Sequence, residues 1–96
     1  MNLQETQRIL SKHRADVAAF GVRSLAIFGS VARGDAGPNS DIDVLVEFAV
    51  PVGLFEFVRL KAYLESLLGR RVDLVTPDAL KPPLREQILK EAVRAA

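Results

Sequence analysis

The sequence predicts a small α/β (α+β) domain in which helices flank a mixed β-sheet of three or more strands. Three short segments are almost continuously apolar, as expected for strands covered by other elements. Three longer segments repeat apolar residues at helical spacing. The predicted strands are 24–28, 41–48 and 72–75, and the predicted helices are 2–19, 54–68 and 83–95. A length of 96 residues fits one domain, residues 1–96.

The composition excludes several classes of protein. Thirteen basic and 12 acidic residues give a net charge of +1, so we expect no direct binding to nucleic acid. There is no cysteine, which excludes disulfides and thiolate metal sites. The first 20 residues lack the apolar segment of a signal peptide, and the apolar-rich stretch 48–57 is too short to span a bilayer. We therefore expect a cytoplasmic protein without membrane contact.

The first half of the chain is predicted to form a helix, a strand and a loop. Leu3, Leu10 and Val17 recur every seven residues on one side of the first helix, and Gly21 is a suitable residue to end it. The strand 24–28 follows, and Gly29-Ser30 ends it. Val31, Ala32 and Arg33 are expected to form the first turn of a short helix, and Gly34, Gly37, Pro38 and Asn39 indicate a loop.

The second half alternates strands with longer helices. The second strand carries Asp41 and Asp43, and the sequence leaves open whether it runs antiparallel to the first. Helix 54–68 is apolar over more than half its circumference, which exceeds what packing on a sheet requires and points to a partner surface. Gly69 is expected to cap it. Pro82-Pro83 opens the final helix, whose inner side is expected to carry Leu84, Ile88, Leu89, Ala92 and Val93.

Three aspartates in these strands are the candidate metal ligands. Asp41 and Asp43 are two residues apart on a strand, so their side chains share a face, with Cα atoms about 6.5–7 Å apart. Carboxylates among core residues are costly without a cation, and oxygen ligands suit Mg²⁺ or Mn²⁺. Asp73 would join them if its strand neighbours the second strand, as in two-metal phosphoryl transfer. Asp41 alone has the alternative of capping a turn.

The Gly29-Ser30 turn and its neighbours are the candidate phosphate-binding groups. Gly29 lets the backbone approach a phosphate closely, and Ser30 offers a hydroxyl and an N–H at a helix start. Arg33 is a candidate for neutralising phosphate oxygens, and closing the loop onto Asp35 is its alternative. Ser40 completes the candidate nucleotide-binding set, with a simple turn around Ser40-Asp41 as its alternative.

The segment GSVARGDAGPNSDIDVLVEF, followed by RVDLV, resembles the DNA polymerase beta-like nucleotidyltransferase superfamily. More closely, it is similar to the minimal nucleotidyltransferases (MNT) of HEPN–MNT toxin–antitoxin pairs, over nearly the whole chain. The resemblance implies a polymerase beta-like core. It also implies that Gly29 and Ser30 bind the triphosphate of ATP and that Asp41 and Asp43 bind metal, two Mg²⁺ ions or Mn²⁺ in their place. Asp73 would ligate one metal and help to activate the acceptor hydroxyl.

The function implied by this resemblance is transfer of AMP from ATP to a hydroxyl, a tyrosine of a cognate HEPN ribonuclease toxin. Larger relatives carry a helical acceptor-binding domain, whereas one helix follows Asp73 here. We therefore expect the acceptor on a partner or second subunit, in a homo- or hetero-oligomer. One alternative is an antitoxin that acts by complex formation without catalysis. Its candidate contacts are Phe55, Phe57, Leu60 and Tyr63, for which packing in the core is the alternative. The other is a small-molecule transferase of the aminoglycoside type.

Overall fold

The protein forms a four-stranded mixed sheet with helices on both faces in a computed structural model that describes residues 1–96. The helices are α1 Leu3–Lys12, α2 Arg14–Ala18, α3 Gly29–Arg33, α4 Leu54–Leu68 and α5 Pro82–Glu91, with a 3₁₀ turn at Pro77–Ala79. The strands are β1 Val22–Phe28, β2 Ile42–Phe48, β3 Val72–Val75 and β4 Val93–Arg94. They lie in the order β3-β2-β1-β4.

Strand direction determines which ends meet at one edge of the sheet. β1 runs antiparallel to β2 and to β4, whereas β2 and β3 are parallel and are joined by the crossover helix α4. The carboxyl end of β1 therefore lies beside the amino ends of β2 and β3. This settles the strand direction that the sequence left open, and the mixed sheet is as predicted.

The main core lies between one face of the sheet and helices α1 and α4. Val44 and Val46 of β2 point into it, and Leu60, Leu64 and Leu68 of α4 recur every four residues along the buried side of that helix. On the opposite face, a smaller cluster contains Phe28, Leu45 and Ile88. Because β2 is covered on both faces, its nearly unbroken apolar sequence is explained.

The first predicted helix is divided into two. The backbone of His13 leaves the helical region, with φ −105° and ψ 24°, and α2 begins at Arg14. At the other end of α1, the side chain of Asn2 accepts a hydrogen bond of 2.8 Å from the Glu5 N–H, which satisfies a free donor of the first turn. Val17 of α2 still packs in the core, so the seven-residue spacing of apolar residues correctly identified the buried side.

The C-terminal segment differs most from the prediction. The expected helix 83–95 ends at Glu91, and Val93–Arg94 forms β4, which pairs with Ile27 and Ala26 of β1. Pairing at the open edge of β1 satisfies backbone groups that a longer helix would leave free there. The expected inner side is also only partly correct. Ile88 is buried, but Leu84 and Leu89 are about half exposed.

None of the helices combines the length and the apolar character needed to cross a lipid bilayer.

Candidate active site

The candidate site lies at the edge where β1 ends and β2 and β3 begin. Phe28, the last residue of β1, is the register partner of Asp43, and Asp43 is in turn the register partner of Asp73. Gly29 and Ser30 follow Phe28 directly at the start of α3. The structure thus places the Gly-Ser turn beside two aspartates on adjacent strands.

Asp43 lies half-buried at the centre of this arrangement. Its pKa is raised, first because burial removes water from the carboxylate and then because Asp73 and Asp41 are negatively charged neighbours. A hydrogen bond to the Asp73 side chain, available to the protonated form of Asp43, raises the pKa further, while the positive charge of Arg33 opposes the rise. The Asp43 carboxylate is therefore destabilised by its surroundings, and a bound cation would relieve this.

Asp41 is placed differently from the other two aspartates. It precedes β2, which begins at Ile42 and not at Asp41 as predicted, and its carboxylate lies 3.4 Å from Nε of Arg71. No group of three or more acidic or histidine side chains is arranged in the structure to hold a metal ion. Because the Arg71 side chain is 84% exposed, its ion pair with Asp41 is weak and readily exchanged. Two adjacent carboxylates with a third close by are a donor set that fits Mg²⁺ or Mn²⁺.

Gly29 has a role that the sequence alone did not indicate. Its φ is +70°, a region that favours glycine, and a Cβ at this position would lie 2.9 Å from Cγ of Asp43. The sequence suggested that the glycine makes room for a phosphate. In the structure, the space beside its Cα is filled by the Asp43 carboxylate, so the glycine first makes room for that aspartate.

Glu91 is a site residue that sequence reasoning missed. Its Oε1 accepts a hydrogen bond of 2.8 Å from the Gly29 N–H and lies 3.4 Å from Nη1 of Arg33. Arg33 also lies 3.4 Å from Asp35. The predicted alternative for Arg33, closing the loop onto Asp35, is therefore present in addition to its contact with Glu91. Sixty-two positions separate Glu91 from Gly29, and the packing of α5 on β1, along with the unpredicted β4, brings them together. No local sequence pattern marks such a contact.

Ser40 is engaged in the loop that precedes Asp41. Its hydroxyl accepts a hydrogen bond of 2.9 Å from the Gly37 N–H, and its carbonyl accepts one of 2.7 Å from the Arg70 guanidinium. These bonds correspond to the turn that was the alternative for Ser40. Arg70, which the sequence did not single out, ties this loop to the start of β3.

The chain belongs to the nucleotidyltransferase family, because the family described as "Nucleotidyltransferase domain" matches residues 8–95. Among its relatives is the protein adenylyltransferase MntA of Thermococcus cleftensis. The two are 43% identical over 94 residues, which cover 97% of this chain and 95% of that protein. The family inferred from the Gly-Ser and Asp-x-Asp segments is thereby confirmed.

Solved structures agree with this assignment. A structure described as a minimal nucleotidyltransferase is 43% identical, with a TM-score of 0.84, and the match covers 97% of this chain and 95% of that one. A crystal structure of a toxin–antitoxin with AMP-PNP is 26% identical, with a TM-score of 0.76, covering 94% of this chain and 72% of that one. The predicted polymerase beta-like nucleotidyltransferase fold is confirmed.

Proposed function

We propose that this chain is an antitoxin that transfers AMP from ATP to a hydroxyl of a cognate toxin, a tyrosine of a HEPN ribonuclease. The observation that carries the proposal is the register pairing of Asp43 with Asp73 directly beside Gly29-Ser30. Family membership supports the reaction class, and the name of the MntA relative supports adenylyl transfer to a protein. Use of ATP and an intracellular acceptor would place the reaction in the cytoplasm.

The nucleotide would lie against the start of α3. The Ser30 hydroxyl and the Arg33 guanidinium would hold phosphate oxygens, and Ser40 would contribute through the position of its loop. Arg33 has two weak contacts of 3.4 Å with acidic partners, so it can exchange them for a phosphate without disrupting a buried network. A toxin–antitoxin of related fold with AMP-PNP supports an adenine nucleotide as the donor.

The acidic residues would hold the metal and activate the acceptor. Asp41, Asp43 and Asp73 would bind two Mg²⁺ ions, or Mn²⁺, which would neutralise charge on the transferred phosphate. Asp73 is exposed at the start of β3, so an acceptor hydroxyl on another protein can reach it, and Asp73 would help to remove the hydroxyl proton. Asp43 is half-buried and would fix the position of the phosphate relative to Asp73.

The test is the Asp43→Asn variant, incubated with the co-purified toxin, Mg²⁺ and ATP. We expect loss of AMP addition, measured by intact mass spectrometry, while the circular dichroism spectrum remains that of the wild type. Asp78→Asn, an exposed acid in the 3₁₀ turn, is the control and should retain full transfer. Undiminished transfer by the Asp43→Asn protein would contradict the proposed site.

Neutralisation by complex formation alone is a second candidate, favoured by an exposed apolar surface on α4. This α4 surface consists of Leu54, Phe55 and Val58, of which Leu54 is 78% and Phe55 is 83% exposed. One of the candidate contacts, Leu60, is wrong, because it is fully buried in the core. Tyr63 is partly buried and packs on Phe20 at a ring distance of 5.2 Å.

Cell survival distinguishes the two candidates. If catalysis neutralises the toxin, cells that co-express toxin and the Asp43→Asn variant should die as they do without antitoxin. If complex formation is sufficient, the same variant should protect them. Co-purification of the toxin with this variant shows whether the complex itself has survived the substitution.

A further inference from the structure

Glu91 supplies a helix cap that the local sequence lacks. Phe28, the residue before α3, offers no side-chain hydrogen bond to the first turn of that helix. The Glu91 carboxylate instead accepts the Gly29 N–H at 2.8 Å, from the far end of α5. An acceptor at this place satisfies a free donor and complements the positive end of the helix. The Glu91 side chain is 26% exposed, so water competes only partly for the bond.

The conformation that this bond holds is the one on which Asp43 depends. Gly29 has no Cβ, so its backbone can leave φ +70° for many other conformations. The Asp43 carboxylate occupies the space where a Gly29 side chain would be. Rotation of the Gly29 backbone would therefore displace both the start of α3 and the contact with Asp43.

Glu91 is itself held in place from both sides. Before it, Ile88 packs with Phe28 and Leu45, and the Ala92 N–H donates to the Ile88 carbonyl at 2.9 Å. After it, Val93 pairs with Ile27 in the sheet. The acid is thus presented to Gly29 by packed elements and not by a free tail.

We infer that Glu91 is a positioning residue of the nucleotide site, whose carboxylate holds Gly29 so that Ser30, Arg33 and Asp43 keep their places before the nucleotide binds. The nucleotide part of this inference rests on the proposed function. The effect on Gly29 does not.

The opposite role for Glu91 is a plug that the triphosphate must displace. The distances favour positioning over this alternative. The Gly29 bond at 2.8 Å is short, while the Arg33 contact at 3.4 Å is loose and Arg33 is shared with Asp35. Arg33 can therefore turn to a phosphate while Glu91 stays on Gly29.

The test compares Glu91→Ala with Glu91→Gln in the full chain. Glutamine keeps an oxygen acceptor for Gly29 without the charge, whereas alanine removes the acceptor. Glu86→Ala, an exposed acid on the same helix, is the matched control. Three quantities are measured: amide hydrogen exchange at Gly29 by NMR, the Kd for Mg²⁺–AMP-PNP, and KM and kcat for AMP transfer to the toxin.

For Glu91→Ala we expect Gly29 exchange to accelerate, and AMP-PNP binding to weaken, by about tenfold or more, the usual effect of losing a hydrogen bond to a charged group. The weaker binding should appear as a higher KM. Glu91→Gln should be impaired less than Glu91→Ala, because it keeps an acceptor for Gly29 but loses the assistance of the charge, and Glu86→Ala should match the wild type.

Three results would overturn the inference. They are unchanged Gly29 exchange in Glu91→Ala, tighter AMP-PNP binding by either Glu91 variant, and a glutamine variant as impaired as the alanine one. If the wild type itself binds no AMP-PNP, the proposed function fails, and Gly29 exchange still decides whether Glu91 holds the turn.

Discussion

Asp43 connects the stability of the fold to the chemistry proposed for it. Burial and the charges of Asp73 and Asp41 raise its pKa, so the folded protein binds a proton at Asp43 more tightly than the unfolded chain does. Its contribution therefore favours folding at acidic pH. This stabilising contribution of Asp43 is lost as the pH rises from 3.8, the ordinary pKa of the carboxyl, through the raised pKa of the folded state. It remains absent at neutral pH.

Asp43→Asn should consequently stabilise the metal-free protein at pH 7 while it abolishes transfer. Removing the charge of this carboxylate should raise the Tm at pH 7, because the surroundings in the folded state disfavour the charged form. The difference should shrink towards pH 3, where the wild-type carboxyl is protonated. Thermal unfolding at several pH values measures both. A lower Tm for the variant at pH 7 would contradict this account.

Gly29→Ala tests the contact between the Gly-Ser turn and Asp43. Gly34 provides a matched control, because it also has a positive φ, +82°, but a Cβ there would meet nothing within 4 Å. Both variants should lose about 1–2 kcal/mol from backbone strain, and Gly29→Ala should lose more because its Cβ would collide with the Asp43 carboxylate. Only Gly29→Ala should also lose AMP transfer, measured by intact mass of the toxin. Equal activities of the two variants would show that the space beside Gly29 is unimportant.

At the scale of elements, the sequence predicts best where local pattern and burial agree. The bounds of α4 and β3 are as predicted, because a 15-residue helix and a strand of the sheet carry their own periodicity. β4 could not be predicted in the same way. It has two residues, and its stability comes from pairing with β1, whereas its sequence continues a helical pattern.

The residues of the candidate site likewise fall into those that a local sequence pattern predicts and those that only the tertiary structure reveals. Asp43, Asp73 and the Gly-Ser turn stand out because aspartates and glycine interrupt apolar strands. Glu91 does not stand out, because an acid near the end of a helix is ordinary and its partner is 62 positions away. Arg70 was not predicted for a similar reason, since its two hydrogen bonds to the loop before β2 span about thirty positions. Residues brought together by topology leave no mark on local sequence unless they also interrupt an apolar strand, as Asp43 and Asp73 do.

The two sides of α4 should respond differently to substitution. Phe55→Glu, on the exposed α4 surface, should change the free energy of unfolding by less than about 0.5 kcal/mol, while Leu60→Ala in the core should cost about 2–5 kcal/mol. Urea unfolding measures both. If the α4 surface contacts the toxin, Phe55→Glu should also fail to co-purify with it. Retained co-purification would exclude this surface as the interface.

At the scale of the whole molecule, metal binding should be visible as stability. Mg²⁺ at about a hundred times its Kd should raise the free energy of unfolding by about 2.7 kcal/mol if it binds only the folded state. Asp73→Asn should lose most of this gain, because it removes one of the two adjacent carboxylates. NaCl at the same ionic strength controls for general screening. A Tm of the wild type that does not change with Mg²⁺ would contradict the proposed metal site.

The sheet order β3-β2-β1-β4 also affects how the protein matures during synthesis. A single domain generally folds as a unit, so all of its parts must be present. Here β1 is made early, but the acid that bonds to Gly29 lies 62 positions further along the chain, and the strand that closes the β1 edge follows that acid. A nascent chain with only β1, α3 and β2 has the Gly-Ser turn without its distant cap and Asp43 without Asp73. The site therefore assembles only after residues 91–94 have left the ribosome, so unfinished chains lack it.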